Sequence, residues 1–533
     1  MKRDTVPEAQ PGYRPPAPRG LFDLLDSALQ TRPDAVATGT GDRRTILSYS
    51  DLARAIEDVT RTLRDRGIKH GDTVGIVADN AVEIVVTLLG IVAIGAAAAP
   101  VNPHLAGSEI AKTLAAVRAR AGIVPTHLRA QVAGSVPDDK LWTIALGTGG
   151  PLVTFSGGAG ARSSDGSPEV QRPGPEDIAL VMLTGGTTDA PKVVPLSHAN
   201  VAASIRGICA TYELDAGDAT LLIMPLSHGH GLIAGLLATL ASGGAAILPD
   251  ARRFSASTFW PEMRSASATW YTAVPTMHQI LLDRAAAEYP VDHPSPLRFI
   301  RSCSAPIAPT VAAAVESTFH APLIDAYGMT ETSHQVASNP LPGRGPRKSS
   351  SVGVATGVAL RVVASDGASA SPGALGEVQV KGPTVMAGYL DAPHVNASAF
   401  VDGWFRTGDL GFLDEDGYLF LKGRIKELIN RGGEKIFPAD VDAVLLSDPR
   451  VREAASFGVP DAKYGEEIHA AVVLEPGRTA TAAELHDYCA RFLGAFESPK
   501  VFVFVSQLPK TEKGAVDRRK LAETWGSPGT SGT

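Results

Sequence analysis

Residues 183–200 read LTGGTTDAPKVVPLSHAN, with Gly185, Gly186, Thr184, Thr187, Thr188 and Lys192 behind a short apolar run. Glycines let backbone N–H groups close on a phosphate, threonines add hydroxyl donors, and Lys192 adds a mobile positive charge. The Walker spacing GxxxxGK(S/T) is absent, so this is either a different phosphate loop or a polar connection between a strand and a helix. Residues 325–334, DAYGMTETSH, place a hydroxyl and a carboxylate side by side at Thr330 and Glu331. Such a pair suits a magnesium–phosphate unit, and Tyr327 offers a flat face for a base. Asp409 follows a glycine in a tight turn, where a carboxylate can accept both hydroxyls of a ribose. Arg424 and Lys426 follow it, whereas Asp414 and Asp416 read as ordinary solvated turn residues. Residues 508–521, LPKTEKGAVDRRKL, build a turn from Thr511 to Gly514 that presents only the methyl of Ala515. Lys510, Lys513, Arg518, Arg519 and Lys520 crowd around it.

These segments need a scaffold, and its pattern is visible along the chain. TVGIVADN reads as a buried strand, NAVEIVVTLLGIVAIG as a helix and AAAAPVNP as the next strand, an alternation that implies a mostly parallel sheet covered by helices. IALVML, residues 178–183, is a strand running into the glycine- and threonine-rich turn. From about residue 350, VALRVVAS, GEVQVKG and GYLFLKG alternate as short strands of a small β-rich subdomain. Beyond Gly423, two helical and two strand patterns predict a small α+β domain. The expected fold is α/β, with residues 1–19 a disordered lead-in and 20–423 a large domain whose β-rich part spans about 350–423. Residues 424–521 form a mobile C-terminal domain and 522–533 a disordered tail.

The 533 residues exceed one compact core. A net charge of −7 leaves no basic footprint for nucleic acid. Three scattered cysteines, Cys209, Cys303 and Cys489, fit neither a metal site nor a disulfide framework and suit a reducing, cytoplasmic setting. The start of the chain has no apolar core of a secretory signal. The apolar stretch Ile84–Val101 reads as a buried helix and strand rather than a membrane span.

Taken in this order, the segments resemble the acyl-adenylate-forming superfamily of acyl-CoA synthetases, adenylation domains and firefly-type luciferases, over residues 20 to 521. The family loop reads T-S-G-T-T-G-x-P-K-G, and this chain departs from it at Gly185, Asp189 and Val193. The resemblance implies that Thr184–Thr188 and Lys192 cover the β/γ-phosphates, Thr330 contacts the α-phosphate and Glu331 the magnesium. It implies an adenine site from Ser304, Ala305, Pro306 and the segment Asp325, Ala326, Tyr327, Gly328 and Met329. Asp409 holds the ribose beside Arg424, Lys426 is the hinge, and Gly432, Gly433 and Glu434 serve thioester formation. The last signature, P-(R or K)-T-x-x-G-K-x-x-R, is matched except that Ala515 stands at its lysine. That lysine bridges the acid's carboxylate and the α-phosphate, so adenylation is expected to be disabled here. The intact surroundings favour a deliberate exchange, made to trap substrate or adenylate, over a natural loss or replacement by Lys513.

His228 at the gating position of the acyl channel, with His230, Ser302 and His334, is most similar to the pattern of oxalate–CoA ligases. These side chains suit a small polar acid, because an isolated buried carboxylate is costly. A short or medium fatty acid along GLIAGLLATL is the second reading. The expected partners are a small carboxylic acid, ATP with magnesium, and coenzyme A, acting on a monomer or homodimer. A carrier protein as acceptor, a luciferase-type oxygenase and a nucleotide-binding pseudoenzyme are the alternatives.

Overall fold

The computed structural model describes residues 20–40, 45–147, 151–158, 172–184, 192–292, 294–494, 496–510 and 516–526. Four sheets organise them. In the seven-stranded sheet, Thr73–Val77 pairs in parallel with Ala97–Val101 and Ala121–Pro125, and helix Val82–Ala93 makes the crossover. This is the alternation expected from the sequence. The helix is buried at every position from Val82 to Val92, as an all-round apolar helix must be. Among the described residues no helix is long and apolar enough to cross a membrane.

The nine-stranded sheet has a parallel centre. Phe299–Ser302 lies between Trp270–Ala273 and Leu323–Tyr327. One apolar core joins the two sheets through Val74, Ile76, Leu89, Ile205, Trp270 and Phe299. The chain leaving the carboxyl ends of these parallel strands forms loops, the usual location for ligands in such sheets.

Two elements differ from the sequence reading. The glycine-rich turn does not lead from strand to helix. Lys192–Ser197 returns as a second strand, antiparallel to Ile178–Thr184 and in register Thr184↔Lys192, before helix His198–Tyr212 begins at a Ser197 cap. The stretch His230–Leu237 winds as a π-helix before one ordinary turn at Ala238–Ala241. Such winding is rare and is frequently found at functional sites.

A third, antiparallel sheet holds Ala359–Val363, Gly376–Lys381, Trp404–Leu413 and Leu419–Arg424. The fourth belongs to the smaller C-terminal domain. Val451–Asp461 and Gly465–Leu474 form a long antiparallel pair, with Val501–Phe504 added in parallel. Helices Pro438–Leu446 and Ala482–Cys489 cover one face through Val441, Leu445 and Leu485. Helix Arg518–Trp525 covers the other through Leu521 and Trp525.

Candidate active site

A cavity of about 410 Å³ opens where the ends of these strands meet the C-terminal residues of the third sheet. Its walls come from segments far apart in sequence. Thr184 and Lys192 enter from the hairpin, His228 and His230 from the start of the π-helix, and Ser304 from the loop after Phe299–Ser302. Gly328, Met329, Thr330, Glu331 and His334 enter from the loop after Leu323–Tyr327, and Arg424 and Lys426 close the side. Gly185, Gly186, Thr187, Thr188 and Ala515 lie outside the described residues.

The remaining sequence candidates do not line this cavity. Asp325, Ala326 and Tyr327 form the strand behind it. Tyr327 is buried, and its hydroxyl donates to Asp409, which is itself buried and paired with Arg424 at 3.0 Å. Burial raises the Asp409 carboxyl while Arg424 draws it back down. Ser302 is fully buried, whereas Ala305 and Pro306 sit on the outward loop. Gly432, Gly433 and Glu434 form an exposed tip between Ile429–Arg431 and Glu434–Ile436. Both glycines there have positive φ, the backbone a two-residue hairpin turn requires.

Three cations, Lys192, Arg424 and Lys426, share the cavity with one carboxylate, Glu331. Burial, with Arg424 nearby, pulls the Lys426 ammonium down. This charge balance suits a polyanion. Glu331 is held by Tyr389, whose hydroxyl donates to Oε1 at 2.9 Å while Lys192 Nζ stands 4.7 Å from the centre of its ring. Tyr389 was not singled out from the sequence, and MAGYL around it carries no signal for such a role. Thr407 and an apolar wall of Met182, Met224, Val274 and Met277 were missed for the same reason. One carboxylate with neighbouring hydroxyls is the donor set by which magnesium is held together with a triphosphate. Among the described residues no cluster of three or more metal-ligating side chains exists.

The other end of the cavity is imidazole-rich. His230 is buried, with Nδ1 3.0 Å from Ser304 Oγ and Nε2 2.5 Å from Thr272 Oγ1. The His230 and His334 rings lie 4.9 Å apart. Burial, reinforced by His334 and Arg301, holds His230 well below its usual pKa and therefore neutral. Gly328 is needed here, because a Cβ would fall 2.3 Å from the His334 carbonyl oxygen.

The described residues on either side of positions 511–515 are held together. Lys510 and Val516 form an antiparallel bridge, Asp517 N–H donates to the Pro509 carbonyl at 2.8 Å, and Lys510 pairs with Glu453. Arg518 reaches Asp442 at 2.6 Å and Glu427 at 3.8 Å, tying the start of helix Arg518–Trp525 to helix Pro438–Leu446 and to the segment just after Lys426.

The chain is similar over most of its length to known proteins. A family model described as AMP-binding enzyme matches residues 25–390, and one for the C-terminal domain of such enzymes matches residues 440–515. An oxalate–CoA ligase of Arabidopsis thaliana is 42% identical over 94% of this chain and 98% of its own. A sulfoacetate–CoA ligase of Cupriavidus necator is 35% identical over 94% of this chain and 98% of its own. ATP-bound MatB from Rhodopseudomonas palustris superposes with a TM-score of 0.85 at 29% identity, over 95% of this chain and 99% of that one.

Proposed function

The chain belongs to the AMP-binding enzyme family and is an acid–CoA ligase, and from this we infer that it activates a small polar acid, oxalate first, through an acyl-adenylate. The observation that carries the choice of acid is the polar end of the cavity, where His228, His230, His334 and Ser304 converge. A purely apolar acyl chain offers these groups nothing to bond. The likeness to an oxalate–CoA ligase supports the same choice. The apolar wall of Met224, Val274 and Met277 favours a short or medium fatty acid as the second reading.

In the proposed reaction ATP lies with its phosphates along Thr184, Lys192 and Thr330. Lys192, Arg424 and Lys426 balance their charge, and Asp409 accepts from the ribose hydroxyls. Glu331, oriented by Tyr389, would hold magnesium, which when bound screens the triphosphate. An oxygen of the acid's carboxylate attacks the α-phosphorus in line, and pyrophosphate leaves with the electron pair of the broken P–O bond. The protein contributes positioning and charge stabilisation. The small C-terminal domain, residues 424–521, then turns about Lys426 and brings the Gly432–Glu434 tip to the site. The thiolate of CoA attacks the acyl carbon, and AMP departs.

Two anions must approach in the first step, and Ala515 supplies no cation there. Loss of one preorganised charged group lowers a rate on the order of hundreds-fold. The Ala515→Lys variant is therefore expected to raise acid-dependent pyrophosphate exchange by about that factor, with oxalate ahead of C4–C12 fatty acids. Mass spectrometry on the same mixtures detects the acyl-AMP. No gain from lysine removes the assigned role of position 515. A gain with fatty acids alone replaces oxalate by the second reading.

A further inference from the structure

Asn80 holds one wall of the cavity from behind, a task outside the proposed mechanism. It is buried and stands between strand Thr73–Val77 and helix Val82–Ala93 of the seven-stranded sheet. Its side chain crosses to the nine-stranded sheet, to the segment just after strand Ala219–Leu221. There Nδ2 donates to the Leu222 carbonyl at 2.5 Å and to the Met224 carbonyl at 3.0 Å, and Oδ1 accepts from the Leu226 N–H at 3.0 Å. Both donors and the acceptor of the carboxamide are used, and these partners fix which end of it is nitrogen. Among the described residues those two carbonyls and that N–H have no backbone partner. Leu222, Met224 and Leu226 are buried, so each group left unpaired carries a desolvation penalty.

The segment Asn80 holds is part of the cavity wall. Met224 and Pro225 line the cavity, and His228, which also lines it, donates its backbone N–H to the Pro225 carbonyl at 3.1 Å. The segment has no slack against the π-helix, since a Cβ at Gly231 would fall 2.4 Å from both the Met224 and the Pro225 carbonyl oxygens. Asn80 is itself braced. Its N–H donates to the Arg252 carbonyl at 3.1 Å, and the Arg252 guanidinium is held by Glu83 at 2.7 Å and Asp79 at 3.3 Å. Asn80 does not line the cavity. Shortening it therefore opens a space behind the wall, into which Met224 and Pro225 can retreat as the site relaxes. Thr184, Lys192, Thr330, Glu331 and Arg424 enter the cavity from other elements.

We propose that Asn80 is a positioning residue that sets the length of acid the site accepts, by fixing how closely Met224 and Pro225 approach the polar end formed by His230, His334 and Ser304. This deepens the small-polar-acid reading and rests on it. The ligand class is a two-carbon dicarboxylate, discriminated from its homologues with added methylenes. A tie that served stability alone would leave that discrimination untouched.

Equilibrium binding to the chain as it stands, with AMP present, tests this without turnover. The probes are oxalate, malonate and succinate, which carry the same two carboxylates on a lengthening skeleton. The parent is expected to bind oxalate about tenfold or more tightly than succinate, the scale on which a fitted pocket discriminates by a methylene, with malonate between them. Asn80→Ala should weaken oxalate about fivefold, the size of one lost hydrogen bond, and leave succinate unchanged or tighter. The preference should thus shrink to about threefold or less where the parent shows tenfold, while AMP affinity stays within about twofold. Asn80→Ser keeps one short hydroxyl and should fall between the parent and Asn80→Ala. If Asn80→Ala keeps the parent's preference, or weakens oxalate, succinate and AMP alike, Asn80 is a structural tie and the proposal is overturned while the function stands. Should Asn80→Ala fail to bind AMP at all, Asn80→Ser decides, and an unchanged preference there overturns the proposal. A parent that binds succinate more tightly than oxalate defeats the choice of acid and this proposal together.

Discussion

Asp409 and Arg424 stand directly opposite each other on adjacent antiparallel strands, with Arg424 Nε 3.0 Å from Asp409 Oδ1. The pair is asymmetric, since the Asp409 side chain is 7% exposed and that of Arg424 is 45% exposed. Asp409 also accepts from Tyr327, so its carboxylate is fixed before any ligand arrives. Asp409→Asn keeps the volume and removes the charge. Stability should change little, because burial outweighs Arg424 in raising the Asp409 carboxyl and the exposed arginine is solvated when unpaired. AMP affinity should fall about tenfold, as expected when a charged acceptor of two ribose hydroxyls is lost. Calorimetric titration with AMP checks this, and an unchanged affinity takes Asp409 out of the ribose site.

Tyr389 joins two groups proposed to serve the triphosphate. Its hydroxyl orients Glu331 and its ring faces the Lys192 ammonium. Tyr389→Phe removes only the first contact. The magnesium concentration that half-saturates ATP binding should rise about tenfold or more, the size of one charge-assisted hydrogen bond. ATP binding without magnesium should barely move, because the phenyl face remains for Lys192. Tyr389→Ala should weaken both. Equal losses in Tyr389→Phe with and without magnesium would count against the link to Glu331.

How much of this was readable in the sequence depends on how local each feature is. The strand–helix–strand unit at residues 73–101 was legible because its apolar periods differ and its elements are consecutive. Thr184, Lys192, Thr330, Glu331, Arg424 and Lys426 were legible because each lies in a short motif with its own chemistry, and they meet around one cavity. Strand Lys192–Ser197 was not, since Pro195 interrupts its apolar run and argues against a strand by itself. The π-winding at His230 depends on packing between two sheets, which no local pattern encodes. Tyr389 acts through a partner 58 residues away, so only tertiary contact gives it meaning.

Asp325 predicts a pH dependence. Its carboxyl is raised from 3.8 to about 8, mainly by burial, with the Ala326 N–H and Arg301 opposing. The folded state therefore binds the proton more tightly than the unfolded chain does. This contribution to stability is complete below about pH 4 and is lost as pH rises through about 8. Asp325→Asn abolishes the titration while keeping the size and a hydrogen-bonding oxygen. The melting temperature of the variant relative to the parent should therefore climb between pH 5 and 8.5. Scanning calorimetry across that range checks the sign, and parallel curves would mean that Asp325 is ionised in the folded protein throughout.

Arg518 predicts how helix Arg518–Trp525 is held. It pairs with Asp442, which is buried and also accepts from Ser456 N–H, and it extends toward Glu427. Burial raises the Asp442 carboxyl and Arg518 opposes that rise. Arg518→Ala strands the carboxylate without its cation, and removing one partner of a largely buried pair destabilises by about 2–4 kcal/mol. The loss should be confined to the elements Arg518 joins, because the core beneath helix Arg518–Trp525 is separate from that beneath helix Pro438–Leu446. Hydrogen exchange should therefore quicken in Pro438–Leu446 and Arg518–Trp525 and stay unchanged in Val82–Ala93. Arg518→Lys should restore part of the protection, since a single ammonium can meet Asp442 but cannot also fork toward Glu427. Uniformly faster exchange across both domains would show that Arg518 supports the whole fold rather than the junction between helices Arg518–Trp525 and Pro438–Leu446.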